Sequence, residues 1–186
     1  LSAVIGAATS LSEYGETLPA SDRRELLDSI RSESERLDRY IQNLLDMTRL
    51  GSGPMKLERD WVGLDEILGS ALTRLRRSFP GVEVDTELGE TLPPLYVHPA
   101  LIEQALFNIL ENAAKFSPPG RAVRVQTRDL GREVQIDISD QGPGIPEADR
   151  QRIFDMFFSV ARGDRGSQGT GLGLAIVQAV MQAHGG

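Results

Sequence analysis

Four short stretches of the 186-residue chain carry residue types that could do chemistry. The first is QALFNILENAAKFS, Gln104–Ser117. On a helix, Asn108, Asn112 and Lys115 stand at i, i+4 and i+7, so they share one narrow stripe flanked by Gln104 and Glu111. Ile102, Ala105, Leu106, Ile109, Ala113 and Phe116 form the adjacent apolar arc. Asparagine is a weak helix former because its amide competes for backbone hydrogen bonds, so two of them stacked one turn apart need a reason. An amide oxygen is a hard, neutral ligand suited to Mg²⁺ carried in on a nucleotide, and a lysine one turn on can meet phosphate. On this helix alone, a merely solvated polar face reads the same way.

The other three stretches are Asp140-Gln-Gly142-Pro-Gly144, IFDMFF (Ile153–Phe158) and GTGLGLAIV (Gly169–Val177). Asp140 follows the alternating run Val134–Ile138. A carboxylate at a strand end, with glycines that let the backbone come close, can accept a hydrogen bond from an exocyclic amine such as that of adenine. An ordinary Asp-Gly turn is the competing reading. Gly169, Gly171 and Gly173 lead into Leu174–Val177, an apolar run opening a helix. A glycine-rich entry to a helix N-terminus sets free N–H groups where an anion would sit. It carries neither the lysine of a P-loop nor the spacing of the dinucleotide fingerprint. Phe154, Phe157 and Phe158 suit core or lid-anchor positions better than ligand stacking.

In their order and separation, these four stretches resemble the ATP-binding domain of sensor histidine kinases, within the superfamily that includes gyrase, Hsp90 and MutL. Asn108–Lys115 match the N box and Asp140-x-Gly142-x-Gly144 the G1 box. Phe154–Phe158 match the F box, and Gly169-Thr170-Gly171-Leu172-Gly173 the G2 box. The resemblance covers nearly the whole chain and implies ATP and Mg²⁺ as cofactors. It implies Asn112 as the main Mg²⁺ ligand with Asn108 assisting, Lys115 on phosphate, Asp140 on adenine, and the G2 glycines shaping a lid over the triphosphate. The implied reaction passes the γ-phosphoryl group to a histidine and then to an aspartate on the receiver domain of a response regulator. Two further readings stay open: a non-catalytic ATP-sensing module, and a nucleotide-driven clamp ATPase. The helical segment before Gly51 speaks against the clamp.

The elements that must position these groups follow from periodicity. Leu1, Val4, Ile5, Ala8 and Leu11 give one helical pattern, broken by Gly15–Pro19. Ser21 is a candidate N-cap for a long helix ending near Leu50. Its seam (Leu27, Ile30, Ser34, Leu37, Ile41, Leu44) is widened by Leu26, Tyr40 and Leu45, too much apolar surface for a lone hairpin to bury. Pairing with a second copy into a four-helix bundle makes a homodimer the expectation. Gly51–Pro54 reads as a linker. Beyond it come a short strand over Met55, Leu57 and Trp61, and an amphipathic helix over Leu64–Leu75. Further strands are expected at Val82–Leu88, Leu95–Val97, Val123–Arg128 and Glu133–Ser139, the last two joined through Leu130-Gly131. Pro99 suits the first turn of the asparagine helix. The expected fold is α+β, with a hairpin domain (1–50), a linker (51–54) and an α/β sandwich (55–186) that has a mixed sheet and helices on one face.

Composition narrows the partners. Lys and Arg number 20 against 27 Asp and Glu, a net charge of −7 that argues against nucleic acid. There is no cysteine, hence neither disulfides nor thiolate metal sites. No apolar run approaches the ~20 residues of a membrane span. The wording LLDMTRLGSG, then Trp61 and EILGSAL, resembles the Kdp-type sensor kinases within the family. That implies a potassium or osmotic stimulus and a membrane-anchored bacterial parent, with spans outside this chain and this portion cytoplasmic. Three departures stand out. Leu1 aligns just after the proline of the family's H-[DE]-L-R-T-P motif, so the phosphoacceptor histidine is expected upstream. Ser159 replaces the usual F-box cation, with Arg162 or Arg165 as candidate substitutes. The chain stops at His184-Gly-Gly186, where the family continues into further strands.

Overall fold

The computed structural model describes residues 2–51, 57–89, 91–159 and 171–186, with the side chains of 35–36 and 38–51 outside the description. The chain divides into two compact units, Leu1–Thr48 and Arg49–Gly186.

In the first unit, α1 spans Ser2–Tyr14 and α2 spans Ala20–Gly51. The break falls at Gly15–Pro19, as the glycine and proline require. Thr17 closes on the Tyr14 carbonyl with both its N–H and its hydroxyl, each at 2.9 Å. The Ser21 cap is a correction. Helix α2 begins at Ala20, two residues before a Ser21 cap would start it, and the Pro19 carbonyl accepts from the Arg23 N–H at 3.1 Å. The Ser21 hydroxyl instead donates to the Asp22 carboxylate at 2.7 Å. Of the expected seam, Leu27 is 56 % exposed and Ile30 and Leu37 are half-buried in the single chain. Tyr40, Ile41, Leu44 and Leu45 lie outside the described side chains.

In the second unit the strands are β1 (Asp60–Val62), β2 (Val84–Glu87), β3 (Leu95–Val97), β4 (Val123–Asp129) and β5 (Val134–Ser139). The helices are α3 (Leu64–Ser78), α4 (Pro99–Phe116) and α5 (Gly173–His184). Gly51 still belongs to α2, and Ser52–Met55 lie outside the described residues. The sheet is mixed: β2 pairs parallel to β4, and β4 antiparallel to β5. The strands β1 and β3 form a separate antiparallel pair, with Trp61 opposite Tyr96 and their rings 5.3 Å apart.

Alternation along β4 divides its two faces. Val123, Val125 and Thr127 are buried, while Arg124 and Arg128 face solvent. Val125 lies opposite Ile138 and Thr127 opposite Ile136, so the same face of β5 joins the core. The other face is polar, with Arg128 bonded to Asp137 at 2.7 Å and Gln126 donating to Glu87. Helix α3 forms because Leu64, Ile67, Leu68, Ala71, Leu72 and Leu75 make one buried stripe. Asp65 and Glu66 in its first turn and Arg76 and Arg77 in its last complement the helix dipole.

Helix α4 packs against α3, α5, β4 and β5. Its burial is therefore broader than the predicted arc, because Leu101, Phe107 and Leu110 are also enclosed. Phe116, expected in that arc, is 59 % exposed, since it sits in the last turn past the covering helices. Helix α5 turns Ala175, Ile176, Val177 and Val180 inward. Its C-terminal end is fastened twice: Arg59 Nη2 donates to the Ala183 carbonyl at 2.8 Å, and the His98 backbone N–H donates to His184 Nε2 at 3.1 Å. A nitrogen accepting from an amide carries no proton, so His184 Nδ1 is the protonated one and donates to the Val180 carbonyl at 2.7 Å.

Candidate functional site

The stripe on α4 separates into three fates. Asn108 is 5 % exposed, and both ends of its amide are engaged. Its Oδ1 accepts from Gln104 Nε2 at 3.3 Å, and its Nδ2 donates to the Gly173 carbonyl at 3.3 Å. Lys115 turns back along the helix to Glu111 at 3.0 Å, with side chains only 17 % and 14 % exposed. Asn112 is half-buried, and among the described residues nothing hydrogen-bonds its amide. It is therefore the stripe residue with an uncommitted carbonyl oxygen.

Asp140 follows the last residue of β5 and is exposed. One of its oxygens, Oδ1, accepts from the Gly142 N–H at 2.7 Å, the turn expected of an Asp-x-Gly run. That leaves Oδ2 with no partner among the described residues. Gly142 sits so tightly that a Cβ there would lie 2.9 Å from the Phe116 carbonyl oxygen, tying this loop to the end of α4. Gly144 has φ 68° in open space, which a residue with a side chain adopts only under strain. Beside this junction, the Ser117 hydroxyl is buried without a partner.

The aromatic stretch contributes its backbone. Phe157 has φ 63° with its ring 68 % exposed, and its N–H donates to the Gly171 carbonyl at 2.9 Å. Gly171, at φ 67°, presses against it, and a Cβ there would lie 2.6 Å from the Phe157 carbonyl carbon. Phe157 is thus an anchor by its main chain, not a core residue. Phe154 lies half-buried in the turn Arg152–Phe154, and Phe158 half-buried under the Arg152 guanidinium at 4.4 Å. Gly169 and Thr170 lie outside the described residues, as do Arg162 and Arg165.

Gly171 and the buried Leu172 lead into Gly173, the first residue of α5. No side chain caps this helix, and its first backbone bond runs from the Ile176 N–H to the Leu172 carbonyl at 2.9 Å. The N–H groups of 173–175 thus precede the first intrahelical bond, at the positive end of a 12-residue helix. Together these groups can receive an anion at α5, a hard cation at Asn112 and an amine at Asp140. Among the described residues no three His, Cys, Asp or Glu side chains gather into a metal site. Two features had no signal in the sequence: the positive φ of Phe157, and Arg74, which reaches Gln104 from α3.

Comparison with known proteins matches residues 97–186 to the family model described as "Histidine kinase-, DNA gyrase B-, and HSP90-like ATPase". Residues 1–53 match "His Kinase A (phospho-acceptor) domain". The chain is 34% identical over 187 residues to the sensor protein KdpD of Clostridium acetobutylicum, covering 100% of this chain and 21% of that protein. It is 40% identical over 152 residues to the sensor protein KdpD of Escherichia coli, covering 80% of this chain and 16% of that protein. Among solved structures, a mycobacterial sensor histidine kinase MprB is 34% identical with a TM-score of 0.59, covering 68% of this chain and 80% of that one. The chain spans about a fifth of the length of the first curated relatives it matches. Among the described residues no helix is long and apolar enough to cross a membrane.

The glycine geometry makes an ordered prediction. Gly144→Ala should cost about 1–2 kcal/mol, the left-handed penalty alone. Gly171→Ala should cost clearly more, about 3 kcal/mol or above, because a backbone overlap adds to the same penalty. Urea unfolding of the two variants measures the difference. Equal losses would mean that the backbones of 157 and 171 do not press together.

Proposed function

The chain belongs to the sensor histidine kinases, and from that premise we propose that it binds ATP with Mg²⁺ and serves as the nucleotide-binding part of an autophosphorylating two-component kinase. The observation that carries this reading is the coexistence of an uncommitted Asn112 amide on α4 and an uncapped α5 N-terminus held to the same helix through Asn108. When bound, the nucleotide supplies the γ-phosphoryl group for transfer to an imidazole and then to an aspartate of a response-regulator receiver domain. Asn112 offers its oxygen to the cation, and Asn108 assists by keeping the first turn of α5 against α4. The N–H groups of 173–175 meet phosphate oxygens, with Lys115 released from Glu111 toward the same charge. Asp140 receives the adenine amine on Oδ2 while Oδ1 stays in its turn. Gly142, Gly144, Gly171 and Gly173, with Leu172, shape the loops around the ligand, Gly169 and Thr170 are assigned to the same stretch by the resemblance alone, and Phe154 lies in the turn that packs against α5. These groups position and neutralise charge, which is most of what phosphoryl transfer asks of a protein.

Titration calorimetry separates the two ends of the ligand. Asp140→Asn should weaken ATP and ADP alike and lessen discrimination against GTP, because it alters an adenine contact. Asn112→Ala should chiefly abolish the Mg²⁺-dependent part of binding. Unchanged metal dependence in Asn112→Ala would refute the ligand assignment.

The hairpin is proposed to dimerise. Support comes from the apolar surface that a single chain leaves uncovered at Leu27 and from the match of residues 1–53 to a phospho-acceptor domain. Light scattering at tens of micromolar should give twice the chain mass. Leu27→Asp should halve it without unfolding the chain, since Leu27 is exposed in one copy. A monomeric parent protein would sink the bundle.

Residues 1–53 contain no histidine, and the sequence holds two in all, His98 and His184. Neither suits the acceptor role. Both ring nitrogens of His184 are hydrogen-bonded, and it lies at the opposite end of α5 from Gly173, about 16 Å away at ~1.5 Å per residue. The Nδ1 of His98 is buried at the entry to α4. Labelling with γ-³²P ATP and peptide mapping should therefore find no acid-labile phosphate on either. Stoichiometric label at His98 or His184 would overturn this assignment.

A further inference from the structure

We propose that Arg74 and Gln104 are positioning residues for the phosphate end of the site, acting through Asn108 on the first turn of α5; the ligand part of this inference rests on the nucleotide reading above. Four groups form one chain of hydrogen bonds. Arg74 Nη1 donates to Gln104 Oε1 at 2.8 Å. Gln104 Nε2 donates to Asn108 Oδ1 at 3.3 Å, and Asn108 Nδ2 donates to the Gly173 carbonyl at 3.3 Å. The guanidinium is held over the Phe107 ring, 3.9 Å from its centroid, and Phe107 itself is buried.

The polarity of this chain is set at its ends. A guanidinium can only donate and a backbone carbonyl can only accept, whereas an amide side chain can turn either way. With a donor at one end and an acceptor at the other, Gln104 and Asn108 each have one orientation that satisfies every link. Arg74 thereby selects the orientation in which Asn108 pulls on Gly173. Were Gln104 reversed, Asn108 would reverse with it and set its Oδ1 against the Gly173 oxygen, in a place where Asn108 is 5 % exposed and water cannot make up the loss. Gly173 opens α5, so the bond to its carbonyl holds the N–H groups that follow it in register with α4. A surface residue on α3, outside all four chemical stretches, thus governs the placement of an anion site on α5.

Gln104→Glu tests this with almost no change of shape. Glutamate still accepts from Arg74 but has no proton for Asn108, so the polarity of the chain fails while packing is kept. Calorimetry on the whole chain should show Mg-ATP affinity falling about tenfold, with adenosine affinity unchanged because the adenine end is not touched. Arg74→Met should fall in the same direction, and Arg74→Lys, which keeps a donor-only end, should recover most of the loss. Hydrogen exchange on the ligand-free protein provides an arm independent of nucleotide: Gln104→Glu should speed exchange of the hydrogen-bonded amides of 176 and 177 and leave β4 and β5 unchanged. Equal loss of ATP and adenosine binding, or exchange accelerated throughout the unit, would reduce the chain to a general stabilising contact and overturn the proposal. Wild-type exchange rates at 176 and 177 in Gln104→Glu would overturn it as well. If the wild-type chain binds no Mg-ATP, the nucleotide reading fails, and the exchange experiment still decides whether the polar chain orders α5.

Discussion

A helix enclosed on most of its circumference can carry polar groups only where each finds a partner, and α4 is such a helix. It packs against α3, α5 and two strands, with Leu110 fully buried at its centre. A buried amide left unmatched costs on the order of 1–3 kcal/mol, a large share of the stability of a small unit. The polar stripe on α4 is arranged accordingly: Asn108 bonds both ways, and Lys115 and Glu111 neutralise each other within one turn. Asn112, nearer the open end of the helix, is the amide without a match among the described residues. The selectivity of the stripe is thus a consequence of packing. The deeper asparagine holds two helices together, and the shallower one is left without a partner among the described residues.

The loops that surround this stripe are joined to it by main chain more than by side chain. Gly142 lies against the carbonyl that ends α4, and Gly171 lies against the backbone of Phe157. Both contacts are closer than any Cβ tolerates, so they specify glycine for reasons of volume before any ligand is considered. The N–H of Phe157 bonded to the Gly171 carbonyl draws together residues on either side of the glycine-rich segment. Backbone contacts of this kind are stiff, which suits groups that must present N–H donors to a charged ligand at fixed separation.

Much of this was legible in the sequence, and the misses share a cause. Period-2 alternation located β3 at its observed bounds and β4 and β5 to within one residue, and period-3.6 burial located α3. The four chemical stretches were found because they are local. What local pattern could not supply was tertiary pairing. The strand β1 pairs with β3 apart from the mixed sheet, a choice made by chain routing. Phe116 continues the apolar period of α4 yet projects past the elements that would cover it. Ser21 has the chemistry of an N-cap, but Pro19 starts the helix sooner, leaving the serine inside the first turn. The left-handed backbone of Phe157 answers to a glycine fourteen or so residues away, and nothing in an aromatic residue type announces it. Arg74 drew no reading from the sequence, and its reach to Gln104 appears only once two helices are packed.

Helix α5 shows why such distant contacts matter to chemistry. Its N-terminal end can act as an anion site only if that end is held in place against its own tendency to fray. Contacts at three places along it hold the helix. Buried Ile176 and Val180, both fully covered, set its rotation. Asn108 fixes the near end at Gly173. At the far end, Arg59 caps the Ala183 carbonyl, and His184 joins the His98 backbone to the Val180 carbonyl. The two histidines act as fasteners: both ring nitrogens of His184 and the backbone N–H of His98 are engaged at the far end of α5, and the Nδ1 of His98 is buried.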